Sequence, residues 1–232
     1  MNHSFDLSVI VATYNERDSL PECLLELRDW SQTIPEKVQI VVVDSGSTDG
    51  TLEIARRWAS EGEVLLINQG KRLGMGKALR EAYDACEGEY ICHYDADRPF
   101  KLNYVSRALD LLNNKNCDFV LGVRFGDRAN WKRVAYTSGY RLFLNILFGP
   151  HADFETINYT FKVFRREILT HLHLDTDRWF IDAQLVLECL RNGFEVKELP
   201  VPYLVRSQGQ STVRFRDIFE IGREACRYAQ QL

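Results

Sequence analysis

The chain has 232 residues, 45% hydrophobic and 27% charged, which suits a soluble globular protein large enough to bury a real core. A formal net charge of −4 leaves no global basic surface for nucleic acid, so no nucleic-acid partner is expected. None of the six cysteines, Cys23, Cys86, Cys92, Cys117, Cys189 and Cys226, makes a C-x-x-C pair, and most lie in apolar patterns, as reduced thiols in a reducing cytoplasm would.

The first residues carry no basic segment followed by a signal-peptide core. The longest apolar stretch, Leu142–Phe148, is far shorter than the roughly 20 residues of a spanning helix. The expectation is a cytoplasmic protein that is not integral by itself, with a peripheral contact at the cytoplasmic membrane face left open.

In chain order, Leu7–Ala12 predicts a buried strand. Asn15 and Asp18 predict a helix start, with Leu20, Cys23, Leu24 and Leu27 on one face. Val38–Val43 is a second, β-branched strand ending at Asp44, followed by a Ser/Gly turn and a helix to about Ser60. Val64–Asn68 predicts a third strand, Gly70–Gly76 a glycine-spaced basic loop, and Leu79, Ala82, Tyr83 and Cys86 the buried face of a helix. Glu89–Tyr94 predicts a fourth strand, with a helix near Tyr104–Asn113 and a strand near Asp118–Val123 beyond it. The second half predicts helices at Arg133–Phe148 and Ile181–Leu190, strands at Tyr159–Phe164 and Glu195–Leu199, and a polar loop at Val205–Thr212. Phe215–Ala229 predicts an amphipathic helix with Phe215, Ile218, Phe219, Gly222, Ala225 and Cys226 on its apolar face; core packing and interfacial membrane binding both fit it. No linker divides the chain, so one domain is expected, with residues 1–124 as a nucleotide-sugar-binding half and 125–232 as an acceptor-side half.

Strands alternating with helices predict an α/β fold with a mostly parallel sheet between helical layers. Ligand chemistry in such a sheet lies at the carboxyl ends of the strands, where Tyr14, Asp44, Gly70 and Asp95 fall. The fourth strand runs into Asp95-Ala96-Asp97. Residues two apart share a face of a strand, so the two carboxylates are expected to converge on one hard cation, with Ala96 leaving room for a ligand. Thr13-Tyr14-Asn15-Glu16 follows the first strand without the G-x-G-x-x-G of a dinucleotide site; Tyr14 offers a stacking ring and Glu16 an acceptor for ribose hydroxyls. Gly70–Lys77 fails as a Walker A loop, since Lys71 stands five residues before Gly76 and Ala78 follows Lys77. Lys71, Arg72 and Lys77 still offer charge to a diphosphate, reinforced by the helix N-terminus that follows. The histidines show no metal-ligand spacing; His93 is expected in the core or at the sheet edge, and His171-Leu172-His173 in a surface turn.

Taken together, T-Y-N-E, V-V-D-S-G-S-T-D-G-T, G-K-R-x-G-x-G-x-A-L and the D-A-D motif resemble family 2 glycosyltransferases of the GT-A fold, over about Leu7 to Thr212. Within the family the chain is most similar to dolichyl- or polyprenyl-phosphate hexosyltransferases of the dolichol-phosphate mannosyltransferase type. The resemblance implies an inverting, metal-dependent transfer from a GDP- or UDP-hexose, with Mg2+ or Mn2+. It implies that Ala12, Tyr14, Glu16, Asp44 and Ser45 line the nucleotide site and that Asp95, Ala96 and Asp97 meet the donor, Asp97 being the main metal ligand. Arg124 occupies the position of a phosphate-contacting arginine. Phe161-Lys-Val-Phe-Arg-Arg166 resembles G-F-[RK]-x-[FY]-R-R, Trp179–Leu185 resembles [FW]-x-x-D-x-E-L, and Arg206–Thr212 resembles R-x-x-G-x-S-x, with Arg206 and Ser211 as acceptor contacts.

The chain departs from this pattern at Ser45, where an aspartate is usual, at Arg98-Pro99-Phe100, where L-Q-H-P is usual, at Glu155–Thr160, and at Gln184, where a glutamate is usual. If the acceptor is polyprenyl phosphate it is already a nucleophile; if it is a hydroxyl, a carboxylate must take its proton, and Asp182 is the residue expected to do so. Asp182 also fits a helix N-cap. A transferase with a soluble hydroxyl acceptor, and a non-catalytic nucleotide-sugar-binding protein, are the alternatives.

Overall fold

The computed structural model describes residues 4–114, 117–125, 131–149, 157, 159–202, 204 and 215–232. Its strands are β1 (Phe5–Thr13), β2 (Val38–Asp44), β3 (Leu65–Asn68), β4 (Gly88–His93), β5 (Phe119–Phe125), β6 (Lys162–Arg165) and β7 (Val196–Pro202). Its helices are α1 (Leu20–Ser31), α2 (Thr51–Ser60), α3 (Met75–Ala85), α4 (Asn103–Asn114), α5 (Trp131–Phe148), α6 (Ile181–Arg191) and α7 (Phe215–Ala229), with a short 3-10 helix at Arg166–His171.

All seven strands belong to one sheet, in the order β3-β2-β1-β4-β6-β5-β7. β6 alone runs antiparallel, inserted between β4 and β5. The central strands are apolar on both faces because helices cover both. On one side Leu7, Val9 and Val11 of β1 pack with Leu20, Leu24 and Leu27 of α1 and with Val105 and Leu109 of α4. On the other, Ile10, Val41 and Val43 meet Ala78, Leu79 and Ala82 of α3 and Leu185 and Val186 of α6.

Several expectations are corrected. Asn15 does not open α1; it holds φ +56 in a loop, and the helix begins at Leu20, with Pro21 in its first turn. The strand expected at Tyr159–Phe164 starts at Lys162. Asp182 lies in the first turn of α6, and the cap residue is Phe180. The face of α7 that packs on the core carries Ile221, Glu224, Ala225 and Tyr228, so the apolar stripe of Phe219 and Cys226 points outward. On α5, Leu144 is buried while Leu142 and Ile146 are 62% and 74% exposed. Among the described residues no helix is long and apolar enough to cross a membrane.

Candidate active site

The parallel register sets Thr13 beside Asp44 and Asp44 beside Asn68, so three loops leave the sheet at one level. They are tied together: Ser45 N–H donates to the Thr13 carbonyl and Gln69 N–H to the Asp44 carbonyl, each at 3.0 Å. Asp44 is fully buried. Its Oδ2 accepts from the Gly46 and Ser47 amides at 3.0 Å each, while its Oδ1 has no hydrogen-bond partner among the described residues. Asn15 bridges to the same turn, its amide donating to Ser47 Oγ and its Oδ1 accepting from Thr48 N–H, both at 2.9 Å. Glu16 N–H donates to Thr51 Oγ1, and Glu16 Oε2 accepts from Ser19 Oγ at 2.8 Å. Ala12 lies half-buried in β1, paired with Val43.

Gly46 has φ +75, and a Cβ there would stand 2.6 Å from the Lys71 Cα. Only a residue without a Cβ lets the basic loop lie this close to the turn. Lys71 itself is exposed. The Arg72 guanidinium covers the Tyr14 ring, 4.4 Å from its centroid, so a cation occupies the stacking ring. Ser45 Oγ donates to Gln69 Oε1 at 3.0 Å, and Gln69 Nε2 donates to Glu81 at 2.9 Å. The Ser45 hydroxyl is thus linked through Gln69 to a carboxylate on α3.

Asp95 and Asp97 do not converge through strand alternation. β4 ends at His93, and the pair sits in a turn closed by Arg98 N–H donating to the Asp95 carbonyl at 3.0 Å. Ala96 is 2% exposed and its methyl packs into the core, which anchors the turn. Asp95 Oδ2 accepts from Thr160 Oγ1 at 2.5 Å. The divergent Arg98-Pro99-Phe100 is an anchor as well. Arg98 pairs with Glu22 and Glu26 of α1, the Pro99 carbonyl accepts from Leu204 N–H, and buried Phe100 packs edge-on to Tyr94 and Phe161. The donor set is two carboxylates; the neighbouring Cys23 thiol donates to the Asp95 backbone carbonyl at 3.9 Å, and burial raises its pKa so that it stays protonated. Among the described residues no group of three His, Cys, Asp or Glu forms a metal cage. Such a set fits Mg2+ or Mn2+, hard ions that retain water and phosphate oxygens.

Arg124 lies near the carboxyl end of β5, its guanidinium 5.0 Å from the Tyr159 ring centroid. Asp182 Oδ1 is 2.8 Å from the Nζ of Lys162, a lysine with no exposed side-chain surface, and 4.0 Å from His93 Nδ1. His93 Nε2 meets the Tyr83 hydroxyl at 3.0 Å. Burial, aided by the Lys162 charge, pushes the His93 imidazole well below its usual range, so it is neutral.

The N-terminus of α3 is not open to a diphosphate. A Cβ on Gly74 or Gly76 would strike the carbonyls of Asp177 and Thr176, and Lys77 N–H donates to the Asp177 carbonyl. Gln184 holds that covering segment. It accepts from the amides of Asp175 and Thr176 and the Thr176 hydroxyl, and donates to the His173 carbonyl and to Asp175 Oδ1.

Arg206, Ser211 and the Val205–Thr212 loop lie outside the described residues. Sequence reasoning missed Thr160 and Lys162. For the second, two signals were present: its place at the [RK] position of the G-F-[RK]-x-[FY]-R-R resemblance, and a lysine set between Phe161 and Val163, since a buried lysine requires a partner.

The family model of Glycosyl transferase family 2 matches residues 8–173. The glycosyltransferase AglJ of Haloferax volcanii is 28% identical over 207 residues, covering 88% of this chain and 65% of its own. The dolichol-phosphate mannosyltransferase of Pyrococcus furiosus is 27% identical over 221 residues, covering 92% of this chain and 61% of its own. The chain therefore spans less than two thirds of either relative. A glucosyl-3-phosphoglycerate synthase from Mycobacterium tuberculosis, solved with Mn2+, UDP and glucosyl-3-phosphoglycerate, superposes with a TM-score of 0.72 at 21% identity, covering 96% of this chain and 78% of the other. The likeness shows the shared GT-A architecture.

Proposed function

The chain belongs to glycosyl transferase family 2, and from that premise we propose that it transfers a hexose, with inversion, from a GDP- or UDP-sugar to polyprenyl or dolichyl phosphate at the cytoplasmic face of a membrane. The observation that carries the donor half is the buried Asp44, with one oxygen unbonded among the described residues, on the same sheet edge as the Asp95–Asp97 turn. Ala12, Tyr14, Glu16, Asp44, Ser45 and Lys71 line the nucleoside side. Asp95 and Asp97 hold Mg2+ or Mn2+. When bound, that ion neutralises charge developing on the departing diphosphate. Arg124 and Lys71 add positive charge beside the same oxygens.

The acceptor half rests on Asp182. A carboxylate 2.8 Å from a buried ammonium is committed to that partner, which suits it poorly to take a proton from an alcohol. An anionic acceptor needs no such base, and one relative is named a dolichol-phosphate mannosyltransferase. Arg206 and Ser211 are the proposed acceptor contacts. Leu142, Ile146 and Phe219 are exposed on two helices that pack together, with Arg223 and Arg227 exposed on α7 and Glu224 turned inward. That combination suits peripheral contact with an anionic lipid surface.

The test measures sugar transfer to polyprenyl phosphate in vesicles, to a soluble alcohol and to water. Transfer to the lipid phosphate alone supports the proposal. Transfer to the alcohol, lost in Asp182→Asn with donor binding intact, overturns its acceptor half and favours the hydroxyl reading.

A further inference from the structure

We infer that Lys162 is a positioning residue of the donor site, clamping the segment that holds Asp95 to the start of α6. This inference rests on reading Asp95 and Asp97 as donor-side carboxylates.

Lys162 Nζ donates to the Tyr159 carbonyl at 2.6 Å and pairs with Asp182 at 2.8 Å. Tyr159 and Thr160 precede β6 and have no partner in its ladder registers. Yet they make the contacts that frame the aspartate turn. Thr160 Oγ1 donates to Asp95 Oδ2 at 2.5 Å, the Tyr159 hydroxyl approaches the Pro99 carbonyl at 3.5 Å, and the Tyr159 ring lies under Arg124. Lys162 fixes the carbonyl end of this segment from behind.

A buried ammonium is an expensive way to fill a strand position. An apolar side chain of similar length would avoid its desolvation, and replacing both members of a buried pair by apolar residues often leaves stability unchanged. Stability alone therefore does not account for a charge at this point. What the charge provides is a fixed link between a backbone carbonyl next to Thr160 and a carboxylate on α6. Thr160 then offers Asp95 Oδ2 a hydroxyl in one orientation.

The test is calorimetric titration of GDP and UDP into the full chain, with and without Mn2+, beside thermal melts. Thr160→Val is expected to weaken Mn2+-dependent binding by roughly tenfold to a hundredfold, the range for a hydrogen bond to a charged group, with little change in Tm. Lys162→Met combined with Asp182→Leu removes the buried charge together with its partly buried partner, so it is expected to fold yet lose Mn2+-dependent affinity to a similar degree. Adding Thr160→Val to it is expected to cost little more, because both changes act through one segment. Wild-type affinity in the folded charge-free pair overturns the inference, as do fully additive losses. Unchanged affinity in Thr160→Val overturns it too, and that variant reports even where the charge-free pair fails to fold. If the wild type binds neither nucleotide in Mn2+, the donor-site reading itself fails; if the wild type binds and the variants bind equally, only the clamp fails.

Discussion

Arg98 turns from the aspartate pair toward α1, where its Nη2 lies 2.5 Å from the Glu22 carboxylate. The contact secures the turn from outside, while Phe100 secures it from within. The two anchors differ in weight. The ion pair is partly exposed on both sides, 30% and 57%, so it contributes at most about 1 kcal/mol. Arg98 also holds φ +55, a conformation glycine adopts freely. Arg98→Gly is therefore expected to leave the denaturation midpoint almost unchanged. Phe100→Ala, at a fully buried ring, is expected to cost about 3–5 kcal/mol in denaturant unfolding.

Gln184 yields a prediction opposite to what the family pattern suggests. The resemblance places glutamate here, but the Gln184 amide nitrogen donates to the Asp175 carboxylate at 2.8 Å and to the His173 carbonyl. Burial works to raise the Asp175 carboxyl, yet hydrogen bonds from Gln184 and Gln231 and the Arg227 charge outweigh it and hold it below the usual range. Gln184→Glu sets a carboxylate against that charge and removes both donors. It is expected to destabilise by about 2–3 kcal/mol near neutral pH. The deficit should shrink as pH falls and the new acid regains a proton to donate.

Gly46 and Gly70 both have positive φ, but their surroundings differ. A Cβ at Gly70 meets nothing within 4 Å, whereas at Gly46 it strikes the Lys71 backbone. Gly70→Ala is expected to cost only the left-handed backbone term, about 1 kcal/mol. Gly46→Ala must also displace the basic loop. It is expected to cost more than Gly70→Ala in thermal melts and, unlike Gly70→Ala, to weaken nucleoside diphosphate binding by calorimetry.

His93 sets a pH dependence of stability. Its folded pKa lies well below the ordinary 6.5, so on acidification the unfolded chain takes up this proton before the native state does. Stability from this group is complete above the unfolded pKa and is lost as pH falls below it, at no more than about 1.4 kcal/mol per pH unit. Urea unfolding at pH 7.5 and 5.5 should show a smaller loss in His93→Gln than in the wild type. Equal losses would mean that His93 titrates alike in both states.

The strands of the first half were legible to within a residue or two, because Val38–Asp44 and its neighbours are short apolar runs closed by polar turns. The antiparallel insertion of β6 was not, since its partners on β4 and β5 lie far away in the chain and no local pattern encodes that pairing. The same distinction holds at the site. Asp44 and the aspartate pair were visible as acids ending apolar runs. Their real geometry, a turn anchored by Ala96, Arg98 and Thr160, depends on contacts with α1 and the lead-in to β6. Gln184 read as a lost acid, though its amide is what the 173–176 segment uses.

The central claim is that the Asp95–Asp97 turn serves a metal-dependent glycosyl donor. The most direct measurement is release of nucleoside diphosphate from a panel of GDP- and UDP-hexoses with polyprenyl phosphate present, in Mg2+, Mn2+ or EDTA, for the wild type and Asp97→Asn. Turnover of at least one donor with metal is expected, with abolition by EDTA and a fall of roughly a hundredfold or more in Asp97→Asn. Turnover that persists in EDTA and in Asp97→Asn, or no turnover of any donor with either metal, would contradict that claim.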